Sequence, residues 1–252
     1  MAKLIVGNWK MNPTALKSAV TLGQGIREKL GVDGIPGGVT VGLAPPACYL
    51  HAVGQCVEGS PVRLGAQNIC WEDEGAFTGE ISPTMLKDVG GSFTIVGHSE
   101  RRALFRETDD IINKRLKHAI ASGLEVILCV GETLPQREKG ITKMIVEEQL
   151  RGSLLGLEPA DFERIIIAYE PVWAIGTGVN AQSAQIAEAH AQIREYLEAG
   201  FGVGQDLRIL YGGSVKPENA ADIYATVGVD GALVGGASLQ VESFTTLVEL
   251  AS

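Results

Sequence analysis

Ile165-Ile166-Ile167-Ala168-Tyr169-Glu170-Pro171-Val172-Trp173-Ala174-Ile175-Gly176-Thr177-Gly178 changes character at one residue. The first five positions are apolar and rich in β-branched side chains. No polar residue alternates with them, which is the pattern of a strand buried on both faces. Such strands belong to parallel sheets covered by helices. Glu170 then sets a carboxylate at the strand's end, and a run rich in Gly and apolar residues follows it.

The same unit recurs outward in both directions. Short apolar runs stand at Leu4–Gly7, Val39–Ala44, Val62–Ala66, Phe93–Gly97, Glu125–Val130, Leu207–Tyr211 and Gly231–Gly235. Helical spacing fills the intervals. Ile112, Leu116 and Ala119 share one face, as do Ile186, His190, Ile193 and Leu197. Ser82-Pro83 reads as an N-cap followed by proline at the first helical position. Thr108-Asp109-Asp110 puts acids in a first turn, where the helix dipole favours them.

Strand and helix thus alternate eight times in 252 residues. The alternation predicts an α/β fold, and the length suits a single-domain (β/α)8 barrel spanning 1–252. A doubly wound open sheet is the rival, but no G-x-G-x-x-G follows the first strand. In a barrel the reactive groups belong at the C-terminal ends of the strands, and polar residues do stand just after the apolar runs.

The bulk properties narrow the function. The chain carries 21 basic and 30 acidic residues, a net charge of −9, which argues against a nucleic-acid or anionic-membrane surface. Cys48, Cys56, Cys70 and Cys129 form no C-x-x-C pair, and the histidines lack metal-ligand spacing. Free thiols, no apolar leader and no run near the membrane-spanning length predict a soluble cytoplasmic protein.

Asn8, Trp9 and Lys10 follow the first run. An amide donor and a cation suit an anionic ligand, although a lysine at a strand end can equally be a solvated terminus. His98 ends the fourth run and can serve as acid, base or donor, or as a structural histidine. His51, His118 and His190 fall in helical segments and read as structural. Arg101 and Arg102 read as ion-pair formers, Cys129 as a packed thiol, and Trp9 and Trp71 as packing residues. Glu170 could be a salt-bridged terminus, but the apolar loop behind it needs something to cover, as a lid would. Gly212-Gly213-Ser214 and Gly235-Gly236 close the last two units. Each Gly-Gly alone reads as a turn; together they offer backbone N–H groups to an anion.

These pieces, with Ala76-Phe77-Thr78-Gly79-Glu80 in the third loop, resemble the triosephosphate isomerase family in type, order and spacing from Lys3 to about Leu250. Val96 and Val130 differ from the family's usual residues, at positions without chemistry. The resemblance implies a TIM barrel that interconverts dihydroxyacetone phosphate and D-glyceraldehyde 3-phosphate without a cofactor or metal, in glycolysis and gluconeogenesis. It implies Glu170 as base, His98 as the group that polarises the carbonyl, and Lys10 with Asn8 as support for the developing charge. It also implies phosphate binding by the N–H groups of Gly176, Ser214, Gly235 and Gly236. Finally, it implies a homodimer in which Phe77 and Thr78 reach a partner subunit. The rivals are a Schiff-base aldolase using Lys10 and a non-catalytic phosphate-binding barrel.

Overall fold

A computed structural model describes residues 2–31, 35–176 and 180–252. Eight parallel strands close into one barrel in the order β1-β2-β3-β4-β5-β6-β7-β8. They are β1 (Leu4–Asn8), β2 (Thr40–Ala44), β3 (Val62–Ala66), β4 (Gly91–Val96), β5 (Glu125–Val130), β6 (Ile165–Tyr169), β7 (Ile209–Tyr211) and β8 (Gly231–Val234). Helices lie outside: α1 (Leu16–Leu30), α2 (Leu50–Val57), α3 (Pro83–Asp88), α4 (Ser99–Leu104), α5 (Asp109–Ala121), α6 (Leu134–Glu138), α7 (Thr142–Ser153), α8 (Ser183–Phe201), α9 (Pro217–Ala225) and α10 (Val241–Glu249). Among the described residues no helix is long and apolar enough to cross a membrane.

The eight apolar runs are the eight strands, with shifted ends that have local causes. β4 stops at Val96 because Gly97 turns to φ 69°. β7 is short. Leu207 precedes it, and the N–H of its first residue, Ile209, is taken by Asp230 Oδ2 at 2.9 Å. The helix starts also form as read. Ser82 Oγ accepts from Met85 N at 3.2 Å and Thr108 Oγ1 from Ile111 N at 3.4 Å. Ile186, His190, Ile193 and Leu197 form the buried face of α8.

Alternation divides the core in two. Outward residues such as Ile5, Val41, Leu128 and Ile167 pack under the helices. Inward ones such as Leu4, Val6, Phe93, Ile95, Ile127, Cys129, Ile166 and Leu210 fill the barrel. Phe93 fills more than its own share. The neighbouring strands turn glycines inward, and a Cβ on Gly42 would come within 2.8 Å of the Phe93 ring, while one on Gly65 would overlap it. One ring therefore occupies space that two other strands leave empty. Below it, Arg63 stacks 5.6 Å from the ring centroid and pairs with Glu125.

Gly65→Ala should therefore lower stability by about 1–3 kcal/mol through overpacking. Adding Phe93→Leu should return part of that loss, since the two sites share one volume. Urea unfolding of both single variants and the double variant measures the coupling; strict additivity would refute it.

Candidate active site

The C-terminal ends of the strands ring a cavity of about 450 Å³ lined by Asn8, Lys10, His98, Glu170, Ser214 and Gly235, among others. Its volume lies in the range of small-ligand sites. Residues from the two ends of the chain meet here because closure sets β8 beside β1, with Gly7 opposite Val234.

Asn8 is the last residue of β1 and is buried. Its Oδ1 accepts the backbone N–H of Lys10 at 3.0 Å. Lys10 itself sits at φ 52°, in the left-handed region that side chains other than glycine avoid. Gln67, beyond β3, holds that conformation from the other side: its Nε2 donates to Lys10 O at 2.8 Å and to Ala44 O at 2.9 Å. A strained backbone held from two sides marks a position where the direction of the side chain matters. Lys10 Nζ lies 2.5 Å from Glu100 Oε1. Its stem runs past Gly235, where a Cβ would stand 3.4 Å from Lys10 Cε.

His98 and Glu170 face each other, with Nε2 and Oε1 3.0 Å apart. Both are buried, at 5% and 2% exposure. The second carboxylate oxygen of Glu170 accepts the backbone N–H of Ser99 at 2.8 Å. Burial is the largest influence on each group and disfavours its charged form, pushing His98 down and Glu170 up. The attraction and hydrogen bond between them reverse both effects. Glu170 ends below its ordinary value and His98 above.

A raised His98 favours a proton on both ring nitrogens, yet Nδ1 accepts the backbone N–H of Glu100 at 3.2 Å, which requires a lone pair. That N–H, fixed by the first turn of α4, and the dipole of the turn oppose a positive ring, while Glu100 Oε2, 3.6 Å from Nδ1, favours one. With Nδ1 accepting, the hydrogen sits on Nε2 and is donated to Glu170 Oε1.

Glycines make room for these groups. A Cβ on Gly212 would come within 2.8 Å of Glu170 Cγ. Gly235 and Gly236 lead into a short 3₁₀ turn, Gly236–Leu239, at the cavity wall. Its first N–H groups are of the kind that lack intrahelical partners. Ser214 is engaged differently: its N–H and Oγ both donate to Ala174 O, at 3.1 and 2.8 Å. Gly176 lines the cavity and is exposed, with φ 69°. Thr177 and Gly178 of the lid sequence lie outside the described residues.

The structure thus brings Asn8, Lys10, His98, Gly176, Glu170, Ser214, Gly235 and Gly236 to one cavity. Phe77 and Thr78 stand apart on the third loop. Arg101 and Arg102 pair with Glu107 at 2.7 Å and Asp109 at 2.5 Å. His190 is buried and bonded to Gly228 O at 2.9 Å, as a structural histidine.

Three participants are absent from the sequence reading. Glu100 holds both Lys10 and the His98 ring, and its place in Gly97-His98-Ser99-Glu100 was the only available signal. Gln67 carried none. Glu132 is fully buried and accepts from Tyr169 Oη at 3.0 Å, Trp173 Nε1 at 2.9 Å and Arg137 Nη1 at 3.2 Å. It ties Trp173, just past Glu170, to Tyr169 of β6.

A sequence model described as triosephosphate isomerase matches residues 3–251. The triosephosphate isomerase of Chloroherpeton thalassium is 49% identical over 251 residues, which is 99% of this chain and 98% of the relative. That of Rhodopirellula baltica is 50% identical over 250 residues, 98% and 97% of the two chains. That of Carboxydothermus hydrogenoformans is 50% identical over 247 residues, 97% of each. These matches run through every strand of the barrel and every loop that reaches the cavity, and on that breadth the chain belongs to the triosephosphate isomerase family.

Proposed function

We propose that Glu170 is the base and His98 the electrophile of the isomerisation that defines this family, with Lys10 and Asn8 supporting the charge that develops. The reaction interconverts dihydroxyacetone phosphate and D-glyceraldehyde 3-phosphate, an aldose–ketose exchange of glycolysis and gluconeogenesis. The observation that carries the residue assignment is the 3.0 Å approach of His98 Nε2 to Glu170 Oε1 inside the cavity that Lys10 and Gly235 also line.

The chemistry follows from the donors and acceptors present. Removing a proton beside a carbonyl needs an acceptor at carbon and a donor at oxygen. Ionised Glu170 only accepts, and neutral His98 donates from Nε2. In the resting state they satisfy each other. A bound triose takes the His98 hydrogen at its carbonyl oxygen and frees the carboxylate for the neighbouring carbon. The proton moves from carbon 1 to Glu170, and the enediolate is stabilised by His98 and Lys10. His98 gives its Nε2 hydrogen to the oxygen on carbon 2 and takes one back from the hydroxyl on carbon 1, and Glu170 returns its proton to carbon 2. No oxidant, metal or carrier enters this balance.

Phosphate binding is assigned to the N–H groups of Gly176, Ser214, Gly235 and Gly236. For Ser214 this requires movement, since its N–H now serves Ala174 O. Closing the lid over the substrate would break that bond and exclude water, suppressing loss of phosphate from the enediolate. The Schiff-base alternative needs an uncharged, unengaged Lys10, and the ion pair with Glu100 at 2.5 Å speaks against it.

The third loop supports a homodimer. Arg115 anchors its base through Ile69 O, through Glu80 at 2.7 Å and by stacking 5.2 Å from the Trp71 ring. Phe77 packs edge-on against Trp71 and Thr78 is exposed at the loop tip. Met11 at 89% exposure and Met85 at 55% add apolar surface. A two-fold interface would cover the same loop on both copies. The cytoplasm is the assigned compartment, where the four unpaired thiols would stay reduced.

Glu170→Gln should lower kcat about 10²–10⁴-fold, the usual share of general-base catalysis, with inorganic-phosphate inhibition little changed. A coupled assay from dihydroxyacetone phosphate measures both, and near-normal turnover would remove Glu170 from the role. Lys10→Met should raise the inhibition constant for inorganic phosphate; an unchanged constant would count against the ammonium's part in binding. Thr78→Arg should shift the species seen by light scattering from two chains to one and reduce activity. A wild-type monomer with full activity would refute the dimer.

A further inference from the structure

Gly131, the first residue past β5, stands against the catalytic carboxylate's backbone: a Cβ there would collide with the carbonyl oxygen of Glu170. The two chains run on as an extension of the barrel, with Glu170 N donating to Val130 O at 2.8 Å and Val172 N to Glu132 O at 3.0 Å. Those bonds use the residues on either side of Gly131. The N–H and C=O of Gly131 itself are met by one side chain from α7. Gln149 Oε1 accepts the Gly131 N–H at 2.8 Å, and Gln149 Nε2 donates to Gly131 O at 3.0 Å.

A carboxamide presents a donor and an acceptor in one plane, so it serves the peptide as the edge of another strand would. A carboxylate, an aliphatic chain or a hydroxyl cannot meet both groups in that way. An open cleft of about 220 Å³, lined by Gly97, Arg102, Gln149, Glu170 and Val172 among others, lies beside the clamp.

We infer that Gln149 is a positioning residue for the isomerisation: by clamping Gly131 it fixes the backbone that carries Glu170 and the first residues of the lid. The inference rests on the assignment of Glu170 as base. Gln149 touches neither substrate nor the reacting atoms. Of the phosphate-binding groups, Gly235 and Gly236 follow β8, away from the clamp, while Gly176 follows Glu170 on the clamped segment and Ser214 meets it through Ala174 O. Loss of the clamp should therefore act on turnover more than on phosphate binding. A displacement of the base by a fraction of an ångström is enough, since misplacement by about 1 Å can cost 10²-fold.

The test compares Gln149→Met, which keeps length and volume but neither hydrogen bond, with Gln149→Glu, which keeps only the acceptor. Glu170→Gln serves as the reference. The expected result is a kcat lower by about 10- to 100-fold in both Gln149 variants. Their inhibition constants for inorganic phosphate should change by much less than kcat does, and Gln149→Met should still fold cooperatively, with a melting temperature lowered by a few degrees. If Gln149→Met does not fold, kcat and phosphate inhibition of Gln149→Glu decide. Wild-type kcat in a folded variant overturns the inference, as does a parallel loss of kcat and phosphate affinity. Failure of both variants to fold also overturns it, by making the clamp an element of stability. If Glu170→Gln is itself active, the base assignment falls instead, whatever Gln149 does.

Discussion

Everything in the cavity depends on the pairing of the last strand with the first. β8 lies beside β1 from Leu4 opposite Gly231 to Gly7 opposite Val234. That ladder removes the two free edges an open sheet would expose. It also carries the Lys10 stem to Gly235, so that a cation from the start of the chain stands beside a glycine turn from its end. An open sheet of the same strands would keep Glu170 near His98 but leave the ammonium far from both.

Within that frame the His98–Glu170 pair is set by backbone more than by side-chain packing. The N–H of Ser99 holds one oxygen of Glu170, and the N–H of Glu100 fixes the His98 tautomer. Both come from the first turn of α4, which begins where β4 ends. One turn thus supplies one donor to the carboxylate and another to the imidazole. The burial that would otherwise discharge Glu170 is offset first by His98 and then by the Ser99 N–H, both just past the end of β4.

Much of this was legible in the chain. Strands buried on both faces leave continuous apolar runs, so β3, β5 and β6 have the bounds their sequences suggest. Polar residues at the ends of those runs named Asn8, Lys10, His98 and Glu170. Other features left no trace because their causes lie across the fold. The bend at Lys10 depends on Gln67, 57 positions away, and the commitment of Ser214 to Ala174 spans 40. Alternation beyond Asn8 could not be carried to Lys10, since the strand ends and the backbone turns left-handed there. Phe93 looked like any core aromatic; only the inward glycines of β2 and β3 make it a shared filler.

The ion pair between Lys10 and Glu100 bears on how the molecule lets go of what it has made. A bare ammonium at the mouth of a barrel would retain any dianion, product no less than reactant. Glu100 is a tethered competitor for the same charge. On the proposed role of Lys10, an arriving phosphate ester would exchange with it and a departing one would be replaced by it. The ammonium would then keep an anion in either state, which favours exchange over retention.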